Sequence, residues 1–248
     1  MESSPGGARP RGCVITCEHA TNRVPAAVRQ LLDDPATTAA LETHRGWDPG
    51  AAPLARVLAA RLQAPLHLAT VTRLLVDTNR TPGHPRLHGA WGRSATRARR
   101  EAVIARWHRP HVDAVSASVA AALEEAPRVL HLAVHSFTPV LDGVVRTADI
   151  GLLYDPGHDD EAGLATRWAH ALRAATGLRV RRNYPYRGRD DGLTRSLRRR
   201  FGASYAGIEL ELNQALLVGD RFPALLCRQI ADTLSALLAA APPPPTSP

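Results

Sequence analysis

The chain has 248 residues, 44% apolar and only 4% aromatic, which suits one large α/β domain with a core of Leu, Val and Ala. Its formal charge is +8, and every basic side chain but histidine is arginine, because the sequence holds no lysine. No RNA-binding signature or aromatic platform accompanies the basic runs, so coding bias accounts for them and nucleic acid is set aside as a partner. The N-terminus has no signal-type apolar stretch and no run approaches the ~20 apolar residues of a membrane span, so membrane classes are excluded and the chain reads as cytoplasmic.

Residues 1–11 read as a loose tail, 12–241 as a single domain and 242–248 as a proline-rich solvated end. CVITC (13–17) predicts a first strand, with EHATNRVP as the loop at its carboxyl end. A short helix is expected over 24–32, and the spacing of Leu54, Val57, Leu58 and Leu62 predicts an amphipathic helix over 51–62. Strands are predicted over 65–71 and in LLVDTNR (74–80). Residues 81–93 form a Pro/Gly/His-rich segment, long for a connector, as lids and binding loops are. Residues 94–126 read as helix, broken near Arg109 and Pro110. RVLHLAVHSFTP (128–139) holds an apolar run too short for a helix and suited to a strand buried on both faces. DIGLLYD (149–155), LRVRRN (178–183) and GIELELNQ (207–214) predict further strands, with helices over 161–177 and 222–241. The run Arg198, Arg199, Arg200 reads as a solvated face. Strands alternating with helices predict a mostly parallel sheet covered on both sides. Cys13, Cys17 and Cys227 form neither a zinc-finger spacing nor an even disulfide set, and read as buried thiols of a reducing compartment.

In open α/β sheets, ligands gather at the carboxyl ends of strands. His135 and Ser136 close one apolar run, and His19 follows another. Alone, each histidine fits a capping or surface role. Together, two strand-end imidazoles on one sheet edge can share a zinc ion. A hydrolytic site also needs a third ligand. Asp48, in HRGWDPG, is the best candidate, with Glu18 and Asn22 as alternatives; the structural reading of Asp48 is a helix N-cap before Pro49. Glu209 and Glu211 lie two apart on a strand and so face one side. A carboxylate in an apolar strand is costly to bury unless paired or used, and a glutamate beside a metal-bound water is the usual general base. A solvated edge face is the competing reading. Asn79 and Arg80 follow an apolar run, and arginine's planar fork suits a substrate carboxylate. Their structural reading is a surface turn paired with Asp77. Arg146 reads as a pocket arginine or as a partner of Asp149. His108 and His111 are pocket lining or a structural pair.

Taken in order, CEHATNRVP, HRGWDPGA, RLLVDTNR, HRPH, HSFTP, DIGLLYD, NYPYRG and GIELELNQALL resemble the N-formylglutamate amidohydrolase family, from roughly Cys13 to Leu217. That family is related to zinc carboxypeptidases. The resemblance implies a three-layer α/β/α sandwich with a mixed, mostly parallel sheet and a single zinc ion. It implies His19 and His135 as zinc ligands, with Asp48 as the acidic one. Asn22 stands where the carboxypeptidase pattern has a glutamate. Glu211 matches the general base, and Arg146 is placed with it in the catalytic set. Asn79 and Arg80 match the pair that holds a substrate carboxylate, and Ser136 joins them as a binding residue. The implied reaction is hydrolysis of a small N-acyl amino acid such as N-formylglutamate, releasing the free amino acid. The alternatives are a peptidase or amidase on another carboxylate-bearing substrate, or a non-catalytic anion- or nucleic-acid-binding module using the arginine-rich surface.

Overall fold

In the computed structural model, which describes residues 11–240, the apolar runs around Val14 and Leu132 are adjacent strands of a six-stranded sheet. In chain order the elements are β1 (Arg11–Cys17), α1 (Pro35–Leu41), α2 (Ala51–Leu62), β2 (Leu66–Leu68), α3 (Trp91–Ser94), α4 (Arg97–Val103), α5 (Arg109–Glu125) and β3 (Arg128–Phe137). A small hairpin follows, β4 (Val140–Leu141) and β5 (Val144–Val145). The rest are β6 (Ile150–Leu153), α6 (Asp159–Thr176), β7 (Val180–Arg182), α7 (Leu193–Phe201), β8 (Tyr205–Asn213) and α8 (Ala224–Ala239). The sheet runs β2-β1-β3-β8-β6-β7, and every pairing is parallel except that of β6 with β8. It is therefore mixed and mostly parallel, as expected.

Two apolar faces explain the layering. Ile15, Leu130, Leu132 and Val134 face α2, α6 and α8 through Leu54, Leu58, Trp168 and Ile230. Val14, Val129 and Tyr205 face α5 and α7 through Val115, Val119 and Leu197. Alternate residues of one strand thus feed opposite cores, which is the period-two geometry of a strand covered on both sides. The central position of β3 follows: only Arg128 of its ten residues is exposed. Local signals set the helix ends. Asp34 caps α1 by accepting from Thr37 N at 2.9 Å, with Pro35 at the first helical position. Gly177 stops α6 with φ +69°, where a side chain would be strained.

Four expectations need correction. LLVDTNR is not a strand: its backbone closes on itself, with Leu75 N and Val76 N bonding Thr72 O and Arg80 N bonding Asp77 O. Its apolar side chains are buried instead in a satellite cluster with Leu87 and Trp91, whose indole donates to Leu74 O and Leu75 O. The helical segment does not break at Pro110. A π turn over Ile104–His108 precedes it, and Pro110 falls in the first turn of α5, where a missing N–H is tolerated. Arg198 is not solvated, since its guanidinium clamps the fully buried Glu161 at 2.8 and 2.9 Å. Arg11, expected in a loose tail, begins β1. The expected tails at 1–10 and 241–248 lie outside the described residues. Among those described, no helix is long and apolar enough to cross a membrane.

Candidate metal centre

Parallel pairing of β1 with β3 brings His19, two residues past β1, beside His135, near the end of β3; their ring centroids are 4.9 Å apart. The loop before α2 reaches the same point. Asp48 N donates to His19 O at 2.9 Å, which fixes the loop across the end of β1. Gly50 lets it turn: φ is +79°, and a Cβ there would meet Leu217 and Phe222 within 2.7 Å. Gly50 is also the N-cap of α2, so the capping role considered for Asp48 does not hold. Asp48 instead turns Oδ2 between the two imidazoles, 3.2 Å from His19 Nδ1 and 3.0 Å from His135 Nδ1.

Each imidazole has a carboxylate behind it. His19 Nε2 lies 2.8 Å from Asp77 Oδ1, and His135 Nε2 lies 3.1 Å from Glu18 Oε2, out of hydrogen-bond alignment. Histidines that ligate metals usually present their second nitrogen in this way, which fixes the ring and raises its basicity. The candidate ligand atoms of His19, Asp48 and His135 all lie within 4.8 Å of one another, and all three residues are buried. The set, two imidazole nitrogens and a carboxylate oxygen, fits a divalent transition metal with a position left open. Glu211 Oε2, a buried atom without a hydrogen-bond partner on a residue that lines the same cavity as the three, supports that fit. Asn22 turns away to Glu42, and Glu18 stands behind His135, so Asp48 is the third member of the cluster.

Burial works against charge here, and the partners decide the outcome. Burial alone would lower the His135 pKa, but its contacts with Asp48 and Glu18 outweigh that and hold it well above the usual histidine range. Burial would raise the Glu18 pKa, yet His135 pulls it down to about 2. Asp48 and Asp77 are likewise held below the usual carboxylate range, both with His19 as the leading opposing charge. Glu211 goes the other way. It sits in register with His135 across the β3–β8 pairing, and burial pushes its pKa up to about 8. Space for this side chain depends on Gly151 of β6, where a Cβ would lie 2.1 Å from Tyr184 O and 3.2 Å from Glu211 Cβ.

The cluster opens into a cavity of about 550 Å³ whose walls include Asn79, Arg80, Ser136 and Glu211. Asn79 is tied to the start of α7, accepting from Leu193 N at 2.8 Å. Arg80 donates to Asp191 O, and its Nε, which has no hydrogen-bond partner, is ion-paired with Asp77 Oδ2 at 3.9 Å. Ser136 Oγ donates to Pro49 O at 2.7 Å and accepts from Gln214 Nε2 at 3.0 Å. Arg146 is not on the cavity wall. It is buried behind it, donating to the Tyr186 hydroxyl at 3.0 Å with its guanidinium over the Tyr186 and Phe137 rings. Asp149 pairs with Arg179. His108 binds Arg80 O from behind, and neither it nor His111 lines the cavity.

Sequence reasoning missed Arg73. Its guanidinium touches Asp48 Oδ1 at 3.4 Å and Asp77 Oδ2 at 3.2 Å and lines the cavity. The signal was its place four residues before Asp77, hidden by the expectation of a strand there. His44, Tyr186 and Glu209 also line the cavity, Glu209 accepting from Thr194 Oγ1 at 2.7 Å.

Residues 11–218 match the family model described as N-formylglutamate amidohydrolase. Among solved structures, a gene product of Agrobacterium tumefaciens is similar at 27% identity and a TM-score of 0.75, with 94% of each chain covered. The N-formylglutamate amidohydrolase of Ralstonia eutropha JMP134 is similar at 21% identity and a TM-score of 0.67, with 94% of this chain and 93% of that one covered. No curated protein matches the sequence.

Proposed function

Since the chain belongs to the N-formylglutamate amidohydrolase family, we propose that it is a zinc-dependent hydrolase of the amide bond in a small N-acyl amino acid carrying a free carboxylate. The observation that carries the reading is the convergence of His19, Asp48 and His135, with Glu211 in the adjacent register position. His19 Nδ1, His135 Nδ1 and the Asp48 carboxylate would hold the zinc, with Asp77 and Glu18 fixing the two rings. Zinc bound there supplies Lewis acidity, polarising an amide carbonyl and making water acidic enough to ionise near neutral pH.

Glu211 handles the proton. Its Oε2 has no hydrogen-bond partner and the residue lines the cavity, so it is free to exchange a proton with a water or amine there, and a bound cation would favour its carboxylate form. It takes a proton from the attacking water and delivers it to the departing amine nitrogen, so the C–N bond breaks without expelling an amide anion. Arg73, beside Asp48, takes the role expected of Arg146 and lends positive charge next to the reacting carbonyl. Arg80 and Asn79 grip the carboxylate of the leaving amino acid.

The test is to load the full chain with zinc, count metal per chain, and score release of free amine from N-formyl and N-acetyl amino acids. About one zinc per chain and chelator-sensitive release are expected. A chain that holds no zinc, or releases no amine from any member, overturns the reading.

A further inference from the structure

Arg80 borders two hollows. One is the cavity of about 550 Å³ that holds the metal cluster. The other, of about 250 Å³, it shares with Thr81, His108 and Leu193. Atoms beside a void lack packing partners on that side, so packing fixes this stretch of wall only in part. Hydrogen bonds must set where the guanidinium points, and most of them come from one residue 111 positions away. Asp191 O accepts from Arg80 Nη1, while Asp191 Oδ2 accepts from Thr81 N at 3.0 Å and Oδ1 from Thr81 Oγ1 at 2.7 Å. Leu193 N donates to Asn79 Oδ1 at 2.8 Å, and His108 Nε2 donates to Arg80 O at 2.8 Å.

The way Asp191 divides its oxygens decides what charge the cavity presents. Burial would raise its pKa, and the N–H and O–H of Thr81 outweigh that and hold it below the usual carboxylate range. It is therefore a carboxylate at neutral pH, with each oxygen turned to Thr81 and only its neutral carbonyl on the Arg80 guanidinium. The Arg80 ion pair with Asp77 Oδ2 is long, 3.9 Å, and that oxygen already accepts from Arg73 Nη2 at 3.2 Å. The Arg80 charge thus remains available to an incoming carboxylate.

We propose that Asp191 is a positioning residue for carboxylate recognition. By tying Thr81 with its carboxylate and Arg80 with its carbonyl, it holds the guanidinium on the cavity wall and sets the preference for substrates that carry a free carboxylate. The inference rests on the amide-hydrolase reading above, in which Arg80 grips that carboxylate.

The experiment compares N-formyl-L-glutamate with its uncharged diamide, N-formyl-L-glutamine amide, on the zinc-loaded chain. Formate release gives kcat/KM for each, and the ratio of the two values is the readout, with zinc per chain counted for every variant. The parent should favour the carboxylate-bearing compound. Asp191→Asn leaves one Thr81 donor without an acceptor, and Thr81→Val removes the hydroxyl. Each should lower the ratio about 10- to 100-fold, through KM for the glutamate compound and not through kcat. Thr81→Ser keeps both donors and should keep the parent ratio. Variants that retain the parent ratio, or that lose both substrates equally, overturn this inference and leave the hydrolase reading standing. A parent that cleaves both compounds equally does the same. Formate from neither compound with the parent chain overturns both.

Discussion

Loading the metal-free chain with zinc at different pH values tests the electrostatics of the cluster directly. Without a cation, His135 is held between Asp48 Oδ2 at 3.0 Å and Glu18 Oε2 at 3.1 Å, and its raised pKa keeps it protonated at neutral pH. A ligating imidazole nitrogen must be free of its proton, so binding expels that proton. Glu211, with a pKa near 8, carries a second proton at pH 7, and a cation beside it favours the carboxylate. Apparent zinc affinity should therefore rise as pH rises. Each proton expelled on binding contributes up to about tenfold in apparent affinity per pH unit, so release from both His135 and Glu211 gives a steeper dependence than release from His135 alone. Competition with a chelator at pH 6, 7 and 8 measures the slope, and calorimetry in two buffers of different ionisation enthalpy counts the protons. The variant Glu211→Gln should remove up to one of the two. A pH-independent affinity with no proton release would refute the reasoning.

Further outcomes follow from the same geometry. Glu18→Gln removes the charge behind His135 and should weaken zinc binding about 10- to 100-fold by chelator competition, with zinc-free stability read in parallel; unchanged affinity removes Glu18 from the ring-orienting role. His131, wholly buried between Thr16 Oγ1 at 2.8 Å and the Tyr205 hydroxyl at 2.6 Å, has its pKa lowered by burial to about 4. The unfolded chain takes up that proton near pH 6.5, so the stability is present above 6.5 and lost as pH falls toward 4, by about 3 kcal/mol. Urea unfolding at pH 7 and 4.5 should show a shallower pH dependence in His131→Gln than in the parent. Glu161→Ala strands Arg198 and the N–H groups of Asp155 and Gly207, and should cost about 3–5 kcal/mol in the same assay. A loss below about 1 kcal/mol would mean that Arg198 finds water instead.

Much of the site was legible because it sits where chain pattern and chemistry coincide. His19 and His135 were visible as polar groups ending apolar runs, and parallel strands place such ends together. Glu211 was visible as a charge inside an apolar strand. Asp48 was ambiguous in sequence, since Asp-Pro reads as a cap, and only the turn at Gly50 shows that the helix is capped elsewhere. LLVDTNR was misread because burial in a satellite cluster leaves the same apolar run as burial in a sheet. That error also hid Arg73, whose partners come from looped rather than extended backbone. Arg146 and Arg198 show the limit for charged residues: an arginine's partner is set by contacts such as Tyr186 and Glu161, 40 and 37 positions away, and no local pattern records them.

His19 and Asp48 are 29 positions apart and Asp48 and His135 are 87, and the three come from the end of β1, the loop before α2 and β3. An ion held by all three is a staple across distant segments, present only once the sheet has assembled. At a free concentration of a hundred times its Kd, it would add about 2.7 kcal/mol against unfolding. The melting temperature thus becomes a gauge of occupancy that needs no substrate at all.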